Sequence, residues 1–261
     1  MKKQAEIFFL GTGGSVPTLE RDNTSLLLRL SECTFLVDCP GSIIQKIKKA
    51  GREPRDIHSL FITHIHPDHI YGLPALVHAL MLEDCWINLF GSEETIEFCQ
   101  RLLDLFQLRQ EKVKCRLEFH PLQPGKKTMI VSGIYCWSTP VPHHSSSLAF
   151  QFIDELNQKN LVYSGDTPIF PPLLKKAVEA DCLIHDCSSP SRFFDEYPEL
   201  RKMHTNSLDL GRYAREYGIE RLVPCHFFGE VDFSLTEIEE ELRSSFQGIV
   251  EIPTDLCRII F

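Results

Sequence analysis

The chain has no long apolar run. No stretch of its 261 residues approaches the roughly 18 uncharged apolar positions of a membrane span. After Met1-Lys2-Lys3 the apolar stretch covers only Ile7 to Leu10 before it enters Gly11-Thr12-Gly13-Gly14. That is shorter than the core of about 7–15 residues that an export signal needs. None of the ten cysteines forms Cys-x-x-Cys, and most, such as Cys33, Cys85, Cys136 and Cys182, sit in apolar surroundings. Together these absences point to reduced thiols in a cytoplasmic protein with no membrane partner. No Ser/Gly/Pro-rich linker or repeat at roughly 20–50 residue spacing interrupts the chain, so residues 1–261 read as one domain. Basic charge is also scarce. With 27 Lys and Arg against 36 Asp and Glu, the net charge is −9, and a polyanionic partner would have to be met by local patches. The candidates are Lys46 to Arg55, the group Arg109, Lys112, Lys114 and Arg116, and Lys126-Lys127.

What is present is a strand-and-helix alternation. Strands are expected at Ile7 to Leu10, Ser25 to Leu30, Thr34 to Val37, Leu60 to Thr63 and Trp86 to Phe90. Helical spacing marks Ile43, Ile44, Ile47 and Ala50, then Ile70 through Leu82, then Glu93 to Phe106. Several strands fill 112 to 164. Alternation then returns, with helices at 171–180, 206–216 and 235–244 and strands at 182–185, 220–224 and 258–261. The pattern gives an α/β or α+β fold.

One segment carries chemistry. Thr63-His64-Ile65-His66-Pro67-Asp68-His69 packs three histidines and an aspartate into six positions, directly after the apolar run Leu60-Phe61-Ile62. Imidazoles and a carboxylate at the end of a buried strand repel one another unless something positive lies among them, and two divalent metals would satisfy them all. In an extended stretch His64 and His66 point to one side and can share a metal. The turn at Pro67 then swings Asp68 and His69 toward a second.

This H-x-H-x-D-H run resembles the metallo-β-lactamase superfamily of binuclear hydrolases, and the resemblance spans almost the whole chain. It implies a four-layer αββα sandwich and three further ligands, supplied by His143 in Val141-Pro142-His143-His144, Asp166 in Ser164-Gly165-Asp166-Thr167, and His226 in Pro224-Cys225-His226-Phe227. By resemblance His64, His66 and His143 hold one metal, Asp68, His69 and His226 the other, and Asp166 bridges. His144 is the weaker alternative to His143, because the family's ligand precedes a small residue, here Ala149, by six positions. Nitrogen and oxygen donors suit Zn2+ first, and also Mn2+ or Fe2+. A water between the metals would ionise near neutral pH and attack phosphorus or a carbonyl.

The opening Phe9-Leu10-Gly11-Thr12-Gly13-Gly14-Ser15-Val16-Pro17-Thr18, with Arg21, Asn23 and Ser25, resembles ribonuclease Z, the tRNA 3′-end endonuclease. His204-Thr205, 22 residues before His226, is similar to that branch's loop histidine. His204 would then protonate the leaving oxygen or steady the non-bridging oxygens, and Asp68 would double as ligand and proton acceptor. Another reading makes His204 a helix-start residue with Thr205 or Asn206 as N-cap. His185-Asp186 stands where the family has a His-Glu pair and would support the ligands. The branch's tRNA-gripping arm would lie between His143 and Asp166, but only 22 residues separate them, enough for a hairpin over Gln151 to Tyr163. Arm-less relatives include cyclic phosphodiesterases, to which Asp186-Cys187-Ser188 is similar, although their cysteine-rich zinc site is absent. The expected function is therefore phosphodiester hydrolysis, with an RNA 3′ end or a small cyclic phosphodiester as partner and a homodimer as an assembly common among relatives. A carboxyl-ester, thioester or lactam hydrolase on the same scaffold, or a metal-free binding protein, are the alternatives.

Overall fold

The computed structural model describes residues 5–261. Fourteen strands form two seven-stranded mixed sheets among the described residues. The first half of the chain supplies β1 (Glu6–Gly11), β2 (Ser25–Leu30), β3 (Cys33–Val37), β4 (Ile57–Phe61), β5 (Trp86–Gly91) and β6 (Arg116–Pro121). The second half supplies β7 (Lys127–Val131), β8 (Ile134–Pro140), β9 (Leu148–Asp154), β10 (Lys159–Tyr163), β11 (Cys182–Asp186), β12 (Arg221–Cys225), β13 (Ile249–Val250) and β14 (Arg258–Ile260). Sheet one runs β14-β1-β2-β3-β4-β5-β6 and sheet two β13-β12-β11-β10-β9-β8-β7. The C-terminal strand thus returns to pair with β1, closing the first sheet with the last residues of the chain.

Alternation in the strands sorts side chains into three layers of core. Phe9, Phe35, Phe61, Phe150 and Phe152 meet between the sheets, with Phe61 4.9 Å from both Phe90 and Phe152. The opposite face of sheet one, including Leu36, Leu60 and Leu89, is covered by α1 (Ile43–Lys49), α3 (Leu73–Ala79) and α4 (Glu93–Leu105). The outer face of sheet two, including Val162, Leu183 and Leu222, is covered by α5 (Pro171–Ala177), α7 (Ser207–Tyr217) and α8 (Leu235–Ser245). This is the αββα sandwich of the metallo-β-lactamase fold. Among the described residues no helix is long and apolar enough to cross a membrane.

The single helix expected over Ile70 to Leu82 is two. The short α2 (Pro67–Ile70) begins at the proline, and α3 starts after Tyr71-Gly72. The break has a steric cause: a Cβ on Gly72 would lie 1.9 Å from the Pro40 carbonyl oxygen, so the chain passes where only glycine fits. The α6 helix (Ser191–Glu196) and the 3₁₀ turn Pro198–Lys202, absent from the sequence reading, lead into His204.

Candidate metal centre

The site forms where parallel strands end. β4, β10, β11 and β12 all point their carboxyl ends to one edge of the sandwich, the place where open sheets of this kind present ligands. β4 leaves its sheet at Phe61, and residues 62–66 continue as a loop. His64 is fully buried, with its Nε2 2.9 Å from His66 Nδ1. The loop between β8 and β9 brings His143 Nε2 to 3.1 Å from that same nitrogen. His143 Nδ1 donates to the Met203 carbonyl at 2.9 Å, which leaves Nε2 free to ligate. Four-coordinate sites with bonds of about 2.0–2.1 Å have donor–donor edges of roughly 3.3 Å, so these three imidazoles suit one ion.

A second set lies beside the first. Pro67 starts α2 and turns Asp68 and His69 inward, both buried. His69 Nε2 is 3.4 Å from Asp68 Oδ2 and 3.3 Å from Asp166 Oδ2. His226 Nε2, delivered by the end of β12, is 3.6 Å and 3.1 Å from the same two oxygens. Asp166 Oδ2 also lies 3.8 Å from both His64 Nε2 and His143 Nε2. One carboxylate oxygen therefore reaches both sets, which is the geometry of a bridging ligand.

Several polar atoms of the second set are left unsatisfied by the protein. His69 Nε2, His226 Nε2 and Asp166 Oδ1 are buried without a hydrogen-bond partner. Orphaned buried polar atoms are costly, and a cation among them removes the cost, so the donor set fits two divalent ions. Burial pushes the His64 imidazole well below its ordinary range, helped by His69, and burial likewise lowers His66 and His143. Burial opposes protonation of His69 and His226 too, but Asp166 overrides it, holding His69 well above the usual range and His226 up at about 9. Against burial, His226 and His69 hold Asp166 well down, and His69 does the same for Asp68.

Buried carboxylates orient these ligands. Asp38 accepts from Thr63 N–H at 2.8 Å through Oδ1, and its Oδ2 lies 2.9 Å from His69 Nδ1, which fixes His69 Nε2 toward Asp68 and Asp166. Sequence reasoning passed over Asp38. Its signal is a carboxylate closing the apolar strand Phe35-Leu36-Val37. Asp186, at the end of β11, accepts from Thr167 N–H at 3.0 Å and lies 2.9 Å from His204 Nδ1. His204 is buried, its ring 4.8 Å from that of His143 and 5.3 Å from that of His226. The N-cap of α7 is Asn206, whose side chain accepts from Asp209 N–H at 2.8 Å. That capping leaves His204, two residues upstream, with its Asp186 contact. Phe228 covers His204 edge-on at 5.0 Å. The glycine loop packs against the same edge: a Cβ on Gly14 would meet Phe228 at 3.0 Å and His226 Cε1 at 3.4 Å.

Two expected neighbours stand apart. His144 packs 5.2 Å from the His66 ring, with Nδ1 taken by Ser146, and belongs to neither donor set. His185 is buried with Nδ1 on the Asp186 carbonyl at 2.8 Å, outside the clusters.

Comparison with known proteins agrees with this fold. The family described as Anti-Pycsar protein Apyc1 matches residues 5–210. The ribonuclease Z of Methanosarcina mazei is 24% identical, covering 97% of this chain and 97% of its own. Among solved structures, the metallo-β-lactamase fold protein YhfI from Bacillus subtilis superposes with a TM-score of 0.83 at 20% identity, covering all of both chains. The short form of human tRNase Z superposes at 0.76 and 20% identity, covering 97% of this chain and 98% of that one.

Proposed function

Because the chain belongs to the Anti-Pycsar protein Apyc1 family, within the ribonuclease Z-like branch of the metallo-β-lactamase superfamily, we propose that residues 1–261 form one hydrolase unit, a binuclear metal-dependent phosphodiesterase. The observation that carries the reading is the convergence of seven side chains on two adjoining sites that share Asp166 Oδ2, with His204 held at their edge. Zn2+ suits the donors best. When bound, two such ions supply ionised water near neutral pH and neutralise charge on phosphoryl oxygens.

The chain's own residues supply the proton chemistry. His204 gives Nδ1 to Asp186, which leaves Nε2 as the atom that passes a proton to the leaving oxygen. A positioned acid of this kind contributes about 10²–10⁴-fold. Asp68, buried beside His226, accepts the proton of the attacking water while remaining a ligand. Phe228 and the glycine loop keep bulk water from this edge.

We place small cyclic phosphodiesters ahead of precursor tRNA as substrate. The interval between His143 and Asp166 is filled by the β9–β10 hairpin, which pairs within sheet two from Asp154↔Lys159 to Phe150↔Tyr163 and sends nothing outward. A net charge of −9 also disfavours a large polyanion. The test is a side-by-side rate comparison of metal-loaded protein on a 2′,3′-cyclic nucleotide and on a precursor tRNA with a 3′ trailer. Turnover of the cyclic nucleotide alone supports the reading. Specific cutting beside the acceptor stem would make this an RNA-processing nuclease that works without the arm.

A further inference from the structure

We propose that a cavity at the far end of sheet one binds a nucleoside phosphate, stacking its base on Trp86 and holding its phosphate with Arg116. The cavity, of about 690 Å³, wraps the start of β5 and the outer strand β6. It is remote from the metal centre. β5 runs parallel to β4, whose other end feeds the metal loop, so the six residues of β5 put about 20 Å between Trp86 and that level.

Three features argue for the ligand. First, Trp86 is 53% exposed and sits opposite Arg116 in the β5–β6 register. Opposed residues on paired strands share a face about 5 Å apart, so a flat aromatic surface and a guanidinium stand side by side. Second, the cavity continues round the edge strand β6 to the helix-facing side, where Phe119 and Leu108 form apolar wall and the Arg109 guanidinium lies 5.5 Å over the Phe119 ring. Aromatic rings with neighbouring arginines are the recurring platform for bases. Third, Arg116 forms no ion pair among the described residues, whereas several cations of the other basic patches do. Lys46 pairs with Asp255 and Asp22, Arg52 with Glu6, Arg55 with Glu83, and Lys127 with Glu155. Of the two arginines that line the cavity, Arg109 does pair, with Asp104 at 2.9 Å.

Two carboxylates, Glu111 and Glu118, also line the cavity. They repel a bare phosphate but accept from the exocyclic amino group of a base. That selects a nucleotide with an amino-bearing base over inorganic phosphate. The source is either a free mononucleotide or one residue of a single strand.

Tryptophan fluorescence reads this site directly. The chain has two tryptophans, and Trp137 has its indole nitrogen buried, with Lys176 Nζ 4.4 Å over its ring. Metal-loaded protein is titrated with 5′-AMP, oligo(dA), adenosine and inorganic phosphate in parallel. Saturable quenching by 5′-AMP assigns a free nucleotide, and quenching by oligo(dA) alone assigns a strand. Adenosine and phosphate separately should give neither. Arg116→Glu should weaken binding about tenfold or more while turnover of bis(p-nitrophenyl) phosphate stays unchanged, which separates this site from the metal chemistry. Trp86→Phe should abolish the signal. If that variant fails to fold, the Arg116→Glu titration on native Trp86 carries the test. Absence of quenching by both nucleotide probes, or an unchanged titration in Arg116→Glu, overturns the proposal. So does a signal that depends on protein concentration alone, which would make this face a self-association surface.

Discussion

The two donor sets lie side by side and differ in nearly everything else. His64, His66 and His143 form a set of imidazoles only, one buried and two half-buried. Burial keeps all three deprotonated at neutral pH, so they offer lone pairs without competition from protons. Asp68, His69, Asp166 and His226 are all buried, and their carboxylates hold protons on His69 and His226. On the proposed reading the first set would attract a cation through ready ligands. The second would attract it through negative charge but would have to release protons on binding. Asp166 belongs to both, so the difference is one of supporting groups. Only the second set has a buried carboxylate, Asp38, behind its histidine.

That contrast can be broken most severely at the shared ligand. Asp166→Ala should lose both ions and reduce phosphodiester turnover to background, with bound metal read by mass spectrometry of the purified protein. His66→Ala should lose the first ion alone, together with nearly all turnover. Two ions retained in the Asp166 variant would show that the sites do not share it.

Next in size is His204, which touches both sets without joining either. His204→Ala should keep two ions and lose about 10²–10⁴-fold in rate. Asp186→Asn should lose less, about 10–100-fold, by loosening the same imidazole. Full activity in the His204 variant would remove its assigned role.

Asp38→Asn sharpens the contrast by acting mainly on one side. It should weaken metal at the second set about 10–100-fold and the first less, because Asp38 reaches His64 only through Thr63 Oγ1, as measured by competition with a chromophoric chelator. Equal weakening at both would mean that Asp38 serves the fold rather than His69.

The smallest effect is in pH. In chelator-stripped protein the proton on His226 is held above the ordinary imidazole value of 6.5, at about 9. Its stabilisation is therefore complete below 6.5 and lost as pH rises through about 9. The melting temperature of stripped protein should fall across that window, while metal-loaded protein stays level because the ion replaces the proton. A rise in the stripped protein would contradict the charge arrangement.

Much of this site was legible along the chain because its pattern is local. Six positions hold His64, His66, Asp68 and His69, and an apolar strand before them with Pro67 inside them is enough to aim two pairs of ligands. The single helix expected over Ile70 to Leu82 was not so local. Its break depends on the Pro40 carbonyl, about 30 residues earlier, passing where a Gly72 Cβ would stand. Asp38 was invisible for the same reason. A carboxylate after Phe35-Leu36-Val37 reads as a turn residue until β3 and β4 pair and bring it to Thr63 and His69.

The order of apolar strands and helices, the metal-binding segment and the short interval between His143 and Asp166 were thus determined by the sequence itself, since period and spacing are properties of neighbours in the chain. Tertiary structure decided the rest. It put Asp166 between the two sets and joined His204 to Asp186. It also left Arg116 opposite an exposed Trp86 with no ion pair among the described residues. Those outcomes depend on distances between strand ends far apart in sequence, and only the packing of two sheets sets them.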